Sequence, residues 1–124
     1  ILAEQGLALK EKENWNGKRP DAHAFRKMTL AEKDAYIKEN PAFGKIVCRC
    51  ETVTEGEILN AIRNNPPARD LDGVKRRTRS GMGRCQGGFC GSKVVEILAR
   101  ELGVEMNEIT KFGGESKIMY HKTK

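Results

Sequence analysis

The sequence has few of the residues that build large cores or common active sites. It contains one tryptophan, two tyrosines, four phenylalanines and two histidines in 124 residues. Hydrophobic residues make up 38% and charged residues 32%, which predicts one small domain with flanking segments. No apolar run reaches the roughly 20 residues that span a bilayer. A nucleophile–base pair and a GxGxxG nucleotide motif are also lacking, so we predict no substrate chemistry within this chain.

The start of the chain lacks a methionine and a secretion signal, since the first three residues lead directly into charged ones. We therefore expect a fragment of a longer, cytoplasmic protein. In that compartment, paired cysteines are more often metal ligands or redox groups than structural disulfides.

All four cysteines lie in two tight pairs, which are the strongest signal in the sequence. Cys48 and Cys50 form a C-x-C pair, and Cys85 and Cys90 form a C-x4-C pair within the glycine-rich residues 81–91. Four thiolates can hold a [2Fe–2S] cluster, two at each iron. A glycine-rich loop also brings backbone N–H groups close to the sulfurs. The sequence therefore predicts a [2Fe–2S] cluster with these four cysteines as its ligands.

Several neighbouring features are expected to tune such a cluster. We expect the amides of Gly87, Gly88 and Gly91 to donate to sulfur, and a helix N-terminus to favour a thiolate at Cys90. Residues 73–95 contain no carboxylate and six basic residues, namely Lys75, Arg76, Arg77, Arg79, Arg84 and Lys93. A cluster with four thiolates carries a charge of roughly −2 when oxidised and −3 when reduced, so positive surroundings favour the reduced form. Arg49, Arg84 and the nearby arginines are expected to tune the cluster or to dock a partner.

Other interpretations of the cysteines and of the basic segment stay open at this point. Zinc also takes four-cysteine sites, although C-x-C is an uncommon spacing for structural zinc. Two disulfides or four free thiols are further alternatives, but disulfides are uncommon in a cytosolic chain and free thiols would leave the glycines unexplained. The clustered arginines could bind nucleic acid phosphates, yet no aromatic residue is interleaved with them. We therefore expect no nucleic acid partner.

Capping patterns predict four helices. Thr29 with Glu32, and Thr54 with Glu57, have the spacing of capping boxes that begin helices. The first of these helices should end by Asn40, because the proline that follows disfavours helical geometry there.

The other two predicted helices border the second cysteine pair. Asp70 is expected to cap the third helix, and Gly81 to end it in a left-handed conformation. Ser92 is expected to cap the fourth helix, and Gly103 to end it.

Outside these helices we expect short extended segments. Residues 45–47 should lead into the first cysteines as a strand or extended chain. Residues 109–112 and 117–120 have the pattern of a hairpin, and residues 1–12 that of the last turns of a helix. The predicted fold is therefore small and mainly α, with short extended segments and a four-cysteine metal site.

Four segments together match a known pattern: IVCRCE at 46–51, VTEGEI at 53–58, LDGVKRRTR at 71–79 and GMGRCQGGFC at 81–90. The chain thereby resembles the C-terminal [2Fe–2S]-binding domain of FAD-dependent, anaerobic-type glycerol-3-phosphate dehydrogenases, which belongs to the bacterioferritin-associated ferredoxin-like group. The resemblance implies three parts. Residues 1–44 would be the exit from a preceding FAD domain with a linker and one short helix, 45–103 the [2Fe–2S]-binding domain, and 104–124 a C-terminal tail.

The resemblance also implies a role. The domain would relay electrons from reduced FAD, bound in an upstream domain of the same polypeptide, to an acceptor subunit or a quinone-linked partner. The chain would be a fragment of an oxidoreductase and would carry no substrate site. It would lie in the cytoplasm, or at the inner face of the membrane through partner subunits, without a transmembrane segment. The alternative is a four-cysteine domain without a redox role that holds structural zinc or handles iron or copper, and zinc could also replace the cluster in recombinant material.

Overall fold

A computed structural model describes Gly6, Lys10, residues 12–18 and residues 21–120. Within those residues the chain forms five α-helices, a two-stranded antiparallel sheet and two 3-10 turns. The helices are α1 (Ala24–Lys27), α2 (Leu30–Glu39), α3 (Glu55–Arg63), α4 (Leu71–Thr78) and α5 (Gly91–Leu102), the strands are β1 (Ile46–Cys48) and β2 (Val53–Thr54), and the 3-10 turns are Pro41–Gly44 and Met106–Glu108. The prediction of a small, mainly α fold is confirmed in part: helices dominate the regular structure, but the cysteines lie on β1 and in turns. Most of the helix predicted for residues 1–12 lies outside the described residues.

Both predicted capping boxes are confirmed. At the start of α2, the Thr29 hydroxyl accepts from the N–H of Glu32, whose carboxylate accepts from the N–H of Thr29. At the start of α3, Thr54 and Glu57 form the same reciprocal pair, here in a buried position. Each box satisfies two of the backbone donors that a helix leaves without partners at its N-terminus. Local side-chain spacing is therefore enough to set where these two helices begin.

The start of α4 is as predicted, but its end is not. The Asp70 carboxylate accepts from the N–H of Gly73 at 2.6 Å. The helix ends two residues before the predicted Gly81, because Arg79 adopts the left-handed conformation with φ 70°. The guanidinium of Arg79 lies 2.8 Å from the carboxylate of Glu51. This contact links the end of α4 to the loop that follows the first cysteine pair.

The prediction for the start of α5 is wrong by two residues. Cys90, not Ser92, is the N-cap residue, and its side chain makes no capping hydrogen bond. Ser92 is instead an exposed residue of the first helical turn. The end of the helix is as predicted, with Gly103 in the left-handed conformation at φ 67°. A cysteine of the second pair therefore takes the N-cap role that the sequence pattern assigned to Ser92.

The core lies where α3, α4 and α5 meet. Its most completely buried side chains include Ile58, Val74 and Leu98, one from each helix, together with Val53 of β2 and Ile109. Cys48 and Cys90 belong to the same buried cluster. The packing of these helices therefore fixes the positions of Cys48 and Cys90.

The C-terminal tail forms less regular structure than predicted. The expected hairpin is reduced to one antiparallel bridge between Thr110 and Lys117. The N–H of Leu71 donates to the carbonyl of Thr110 and that of Asp72 to the carbonyl of Lys111, at 3.2 and 2.9 Å. The tail thus satisfies two N–H groups at the start of α4.

Residues 24–44 pack against the helices that follow them. Arg26 donates to the buried carboxylate of Glu57 at 2.7 Å and to the carbonyl of Thr78 at 2.8 Å. The rings of Phe25 and Phe43 lie 4.9 Å apart, and both also contact the ring of Tyr36. The proposed division at residues 44 and 45 stays a prediction.

None of the helices within residues 21–120 has the length and apolar character that crossing a bilayer requires.

Candidate metal centre

The first cysteine pair spans the end of strand β1 and the turn after it. Cys48 is the last residue of β1 and is 1% exposed. Cys50 lies in the turn that leads to β2 and is exposed. Thr52 closes that turn with a positive φ of 51°. Because the chain leaves the strand after Cys48, the pair places one sulfur in the core and the other at the surface.

The second pair lies in a loop of tight turns between α4 and α5. Gln86 and Gly87 have positive φ angles of 47° and 88°. The N–H of Gly88 donates to the carbonyl of Cys85 at 2.9 Å. The resulting curl leaves Cys85 half-buried and places Cys90 in the core, 2% exposed. The second pair, like the first, therefore has one cysteine buried in the core and one nearer the surface.

The side chain of Gln86 holds this loop together, a role that the sequence did not suggest. Its amide nitrogen donates to the carbonyls of Met82 and Gly83, at 3.2 and 3.0 Å. The preceding turn is thereby fixed against the segment that carries Cys85.

The two cysteine loops touch at Gly83. A β-carbon added there would collide with the β-carbon of Cys50 and would lie 3.3 Å from Cγ of Glu51. Glycine therefore allows the loops to approach each other. The Arg79–Glu51 ion pair spans the same junction, although both side chains are partly exposed and such pairs contribute little to stability.

The sulfurs meet in two pairs, each of which joins one cysteine from each loop. Sγ of Cys50 lies 3.7 Å from Sγ of Cys85. Cys48 and Cys90 form the other pair, both buried and close enough for each side chain to shift the pKa of the other. All four thiols are free, and 3.7 Å is far beyond the roughly 2.05 Å of a disulfide bond.

The spacing of Cys50 and Cys85 suits two ligands of one metal ion. Within residues 21–120, no group of three or more His, Cys, Asp or Glu side chains is placed to hold a metal ion. A tetrahedral metal with bonds of about 2.3 Å to sulfur holds two thiolates about 3.8 Å apart. The separation of Cys50 and Cys85 agrees with that value, so this pair is already spaced as the ligands of one metal. A second pair beside it is what a two-iron cluster requires.

Hydrogen bonds favour a thiolate at Cys48 despite its position in the core. Burial opposes ionisation, but the N–H groups of Gly81 and Glu51, together with the side chains of Cys90 and Ser80, lower the pKa of Cys48 below its usual value. Donors that stabilise the charged form outweigh the loss of solvent here.

The pKa values of the two cysteines in the second loop are shifted in opposite directions. The N–H groups of Phe89 and Gly87, followed by the Cys50 thiol, lower the pKa of Cys85. Burial raises the pKa of Cys90, and the neighbouring Cys48 adds to that increase. The pKa of Cys90 is thus shifted in the direction opposite to the one expected from the helix N-terminus, with burial as the main cause.

The three glycines expected to donate to sulfur differ in the structure. The N–H groups of Gly87 and Gly88 contribute to the lowered pKa of Cys85, and that of Gly88 also donates to the Cys85 carbonyl at 2.9 Å. The N–H of Gly91 donates to the carbonyl of Gly87 at 2.7 Å, as part of the turn into α5.

Sequence reasoning missed Ser80, a buried donor beside the inner cysteine pair. Its hydroxyl oxygen lies 3.7 Å from Sγ of Cys90 and also interacts with Cys48. The side chain is 5% exposed, so water cannot replace it readily. No spacing rule identifies such a serine, because its proximity depends on how the end of α4 packs against the start of α5.

The positive charge of residues 73–95 is more widely spread than the sequence suggested. Arg77 donates to the carbonyls of Gly73 and Pro66, neither of which belongs to a cysteine loop. Lys93 pairs with Glu96 at 2.9 Å. The cations that directly adjoin the exposed cysteines are Arg49 and Arg84, both exposed.

Comparison with known proteins gives a family match over residues 46–100, to a BFD-like [2Fe-2S] binding domain. That segment contains all four cysteines and both loops of the candidate site.

The similar proteins are larger enzymes or components of enzymes. The chain is 52% identical over its whole length to a glycerol 3-phosphate dehydrogenase of Caloramator mitchellensis, of which it covers 26%. It is 41% identical over 66 residues to a component of the anaerobic glycerol-3-phosphate dehydrogenase of Escherichia coli K12. That match covers 53% of this chain and 12% of that protein. It is 43% identical over 58 residues to the HcnB component of the hydrogen cyanide synthase of Pseudomonas aeruginosa, and this match covers 47% of this chain and 12% of that protein. The chain thus spans about a quarter or less of these relatives, and no solved structure matches it.

Proposed function

We propose, from the premise that residues 46–100 belong to the family of BFD-like [2Fe-2S] binding domains, that this chain is the iron–sulfur electron-transfer domain of an FAD-dependent dehydrogenase. The observation that carries the proposal is the 3.7 Å approach of Cys50 and Cys85 from separate loops. That spacing suits two thiolates at one metal, and a buried pair of thiols lies beside it.

The four predicted cysteines are proposed as the ligands of one [2Fe–2S] cluster. Cys50 and Cys85 would hold one iron, and Cys48 and Cys90 the other. When bound, the cluster takes up and releases a single electron. Each iron would then be held by one residue from each loop, so that metal binding also fastens the loops together.

The surrounding groups of the chain supply the polar environment that such a centre needs. The N–H groups of Gly81 and Glu51 lower the pKa of Cys48, and those of Phe89 and Gly87 lower the pKa of Cys85. These donors stabilise negative charge on sulfur, and more strongly as that charge increases on reduction. Burial excludes water from Cys48 and Cys90, while Cys50 remains open to solvent. The site therefore has a protected side and a side from which an electron can leave.

The whole protein would oxidise a hydroxy substrate, with glycerol 3-phosphate as the first candidate. Two of the relatives carry that substrate in their names. FAD in another domain of the same polypeptide would deliver electrons to this chain, and an acceptor subunit or quinone-linked partner would receive them. A cytoplasmic protein, either free or attached to the membrane through partner subunits, follows from that proposal. The division into 1–44, 45–103 and 104–124 is part of it as well.

The proposal predicts that the isolated chain takes up one electron and turns over no substrate. An anaerobic titration of the reconstituted chain with dithionite should reach its endpoint at one electron per chain. The same sample should not reduce an artificial dye when glycerol 3-phosphate is added, because the flavin and substrate groups would lie elsewhere in the protein. Substrate turnover by the isolated chain would contradict the proposal, as would the absence of any electron uptake.

Replacing Ser80 with alanine is expected to lower the reduction potential of the reconstituted chain. The Ser80 hydroxyl lies 3.7 Å from Sγ of Cys90, and a donor to a ligand sulfur stabilises the more negatively charged reduced state. A spectroelectrochemical titration measures the shift directly. Ser92→Ala is the matched control, since Ser92 is exposed on α5 and contacts no sulfur within the described residues. Equal potentials in the wild type and Ser80→Ala would show that the hydroxyl does not act on the cluster.

A further inference from the structure

The loop that carries Cys85 and Cys90 also carries an aromatic side chain that no described residue covers. Phe89 lies between Gly88 and Cys90 and is 87% exposed, more than any other large hydrophobic residue in the described chain. Backbone hydrogen bonds on both sides of Phe89, from Gly88 to Cys85 and from Gly91 to Gly87, hold the base of its side chain. Exposed aromatic residues held on rigid backbone are frequent anchors of protein–protein interfaces. Phe89 is therefore positioned to be buried by a partner.

Two cations directly precede Cys50 and Cys85, the cysteines whose sulfurs lie 3.7 Å apart. Arg49 lies between Cys48 and Cys50, and Arg84 immediately precedes Cys85. Both are exposed, and neither takes part in an ion pair within residues 21–120. The nearest carboxylate in sequence, that of Glu51, is already paired with Arg79. Arg49 and Arg84 thus carry positive charge that no carboxylate within residues 21–120 neutralises through an ion pair.

Arg49 and Arg84 differ in this from other cations near the site, because Arg79 and Lys93 are already paired with Glu51 and Glu96. A partner surface that complements the two exposed guanidinium groups of Arg49 and Arg84 is acidic.

We propose that Arg49, Arg84 and Phe89 form a docking surface for an acidic patch on a separate electron-transfer protein, an inference that rests on the proposed function. Arg49 and Arg84 steer the encounter and Phe89 anchors the complex. The docked partner then lies beside Cys50 and Cys85, and one electron passes from the reduced cluster to a one-electron acceptor centre in that partner.

A separate partner fits this surface better than a domain of the same polypeptide does. A tethered domain is present at an effective concentration in the millimolar range and does not depend on long-range attraction to meet its target. Unpaired charges around an aromatic anchor chiefly raise the rate at which diffusing proteins meet. The surface formed by Arg49, Arg84 and Phe89 therefore suits a separate electron acceptor better than it suits the tethered FAD domain that donates electrons.

The test uses two small haem proteins of opposite surface charge as probes, acidic cytochrome b5 and basic cytochrome c. The reconstituted, reduced chain is mixed with each oxidised probe in a stopped-flow instrument, and the second-order rate constant is followed as the salt concentration increases. We expect the rate with cytochrome b5 to fall steeply with salt and the rate with cytochrome c to stay level or rise. Charge reversal at both Arg49→Glu and Arg84→Glu should lower the cytochrome b5 rate at low salt by roughly tenfold or more.

Matched controls separate docking from damage to the centre. Arg69→Glu reverses the charge of an exposed cation just before the N-terminus of α4, whereas the second cysteine loop follows its C-terminus. The two ends of this eight-residue helix are about 12 Å apart, so the substitution should leave the rate unchanged. Phe89→Ala should raise the half-saturating concentration of cytochrome b5 about tenfold without changing the salt dependence, whereas Phe112→Ala, which removes another exposed ring, should not. Arg49→Gln with Arg84→Gln should give an intermediate effect. Visible spectra and reduction potentials of all variants confirm that the cluster is intact.

The outcomes distinguish this inference from the proposed function. If no cluster assembles in the wild type, the proposed function fails first. If the cluster assembles and accepts an electron, but the cytochrome b5 rate is independent of salt or responds equally to Arg69→Glu, only the docking surface is wrong. Tight binding of a single-stranded oligonucleotide that persists in Cys85→Ser would assign the surface to nucleic acid and overturn the inference.

Discussion

Replacing Cys85 with serine is expected to remove the bound cluster and to lower the melting temperature of the chain sharply. Cys85 is the partner of Cys50 at 3.7 Å, and the pair joins the two loops of the site. Metal binding to such loops is coupled to folding, so that its free energy adds to the stability of the folded state. A loss of about 3 kcal/mol would lower the melting temperature of a domain of this size by about 10 °C.

The measurement is a thermal unfolding curve of the wild type and of Cys85→Ser, each purified and reconstituted without oxygen. The control is the same pair of proteins after iron has been removed with a chelator. Because the effect acts through the metal, the two metal-free proteins should melt at nearly the same temperature. A large difference that persists without metal would mean that Cys85 stabilises the fold by packing, and an unchanged holo curve would mean that the site is not structural.

Replacing Gly83 with alanine should prevent cluster assembly even though no ligand is altered. The added β-carbon would overlap that of Cys50 and lie 3.4 Å from its carbonyl carbon, so the loops would have to move apart. Overpacking of this kind costs about 1–3 kcal/mol, and here the displaced residue is itself a proposed ligand. We therefore expect less than half of the wild-type iron content and a lower melting temperature.

Gly91→Ala is the matched substitution. Gly91 is the first residue of α5, and an added β-carbon there has no neighbour within 4 Å. Alanine also has a higher helix propensity than glycine, by up to about 1 kcal/mol in a helix interior. Iron content and melting temperature should be unchanged or slightly increased. Equal iron contents in the two variants would show that close approach of the loops at Gly83 is unnecessary for the site.

Features that depend on neighbouring residues were predictable from the sequence. The capping boxes at Thr29 and Thr54 are confirmed because each depends on two side chains three residues apart. The family match over residues 46–100 confirms the [2Fe–2S]-binding resemblance, which rested on the spacing of the cysteines and the glycines around them.

Features that depend on how distant segments pack were not predictable. The pairing of Cys50 with Cys85 follows from the contact between two loops at Gly83, and no spacing rule contains that contact. The approach of Ser80 to Cys90 likewise depends on the angle between α4 and α5.

The errors at helix ends have a related origin. The glycine pattern predicts that Gly81 ends α4, but Arg79 takes the left-handed position and forms an ion pair with Glu51. The capping pattern predicts Ser92 as the cap of α5, but the chain turns into the helix at Cys90, which packs into the core. At Cys90, burial in the core outweighs the local capping preference.

The measurement that tests the central claim most directly is an anaerobic visible absorption spectrum, recorded before and after addition of dithionite. Iron, sulfide and zinc are counted in the same sample. We predict two irons and two sulfides per chain, with colour that bleaches on reduction. One tightly bound zinc that persists through anaerobic reconstitution with iron and sulfide, together with a colourless and redox-silent sample, would contradict the account and make this a structural zinc domain.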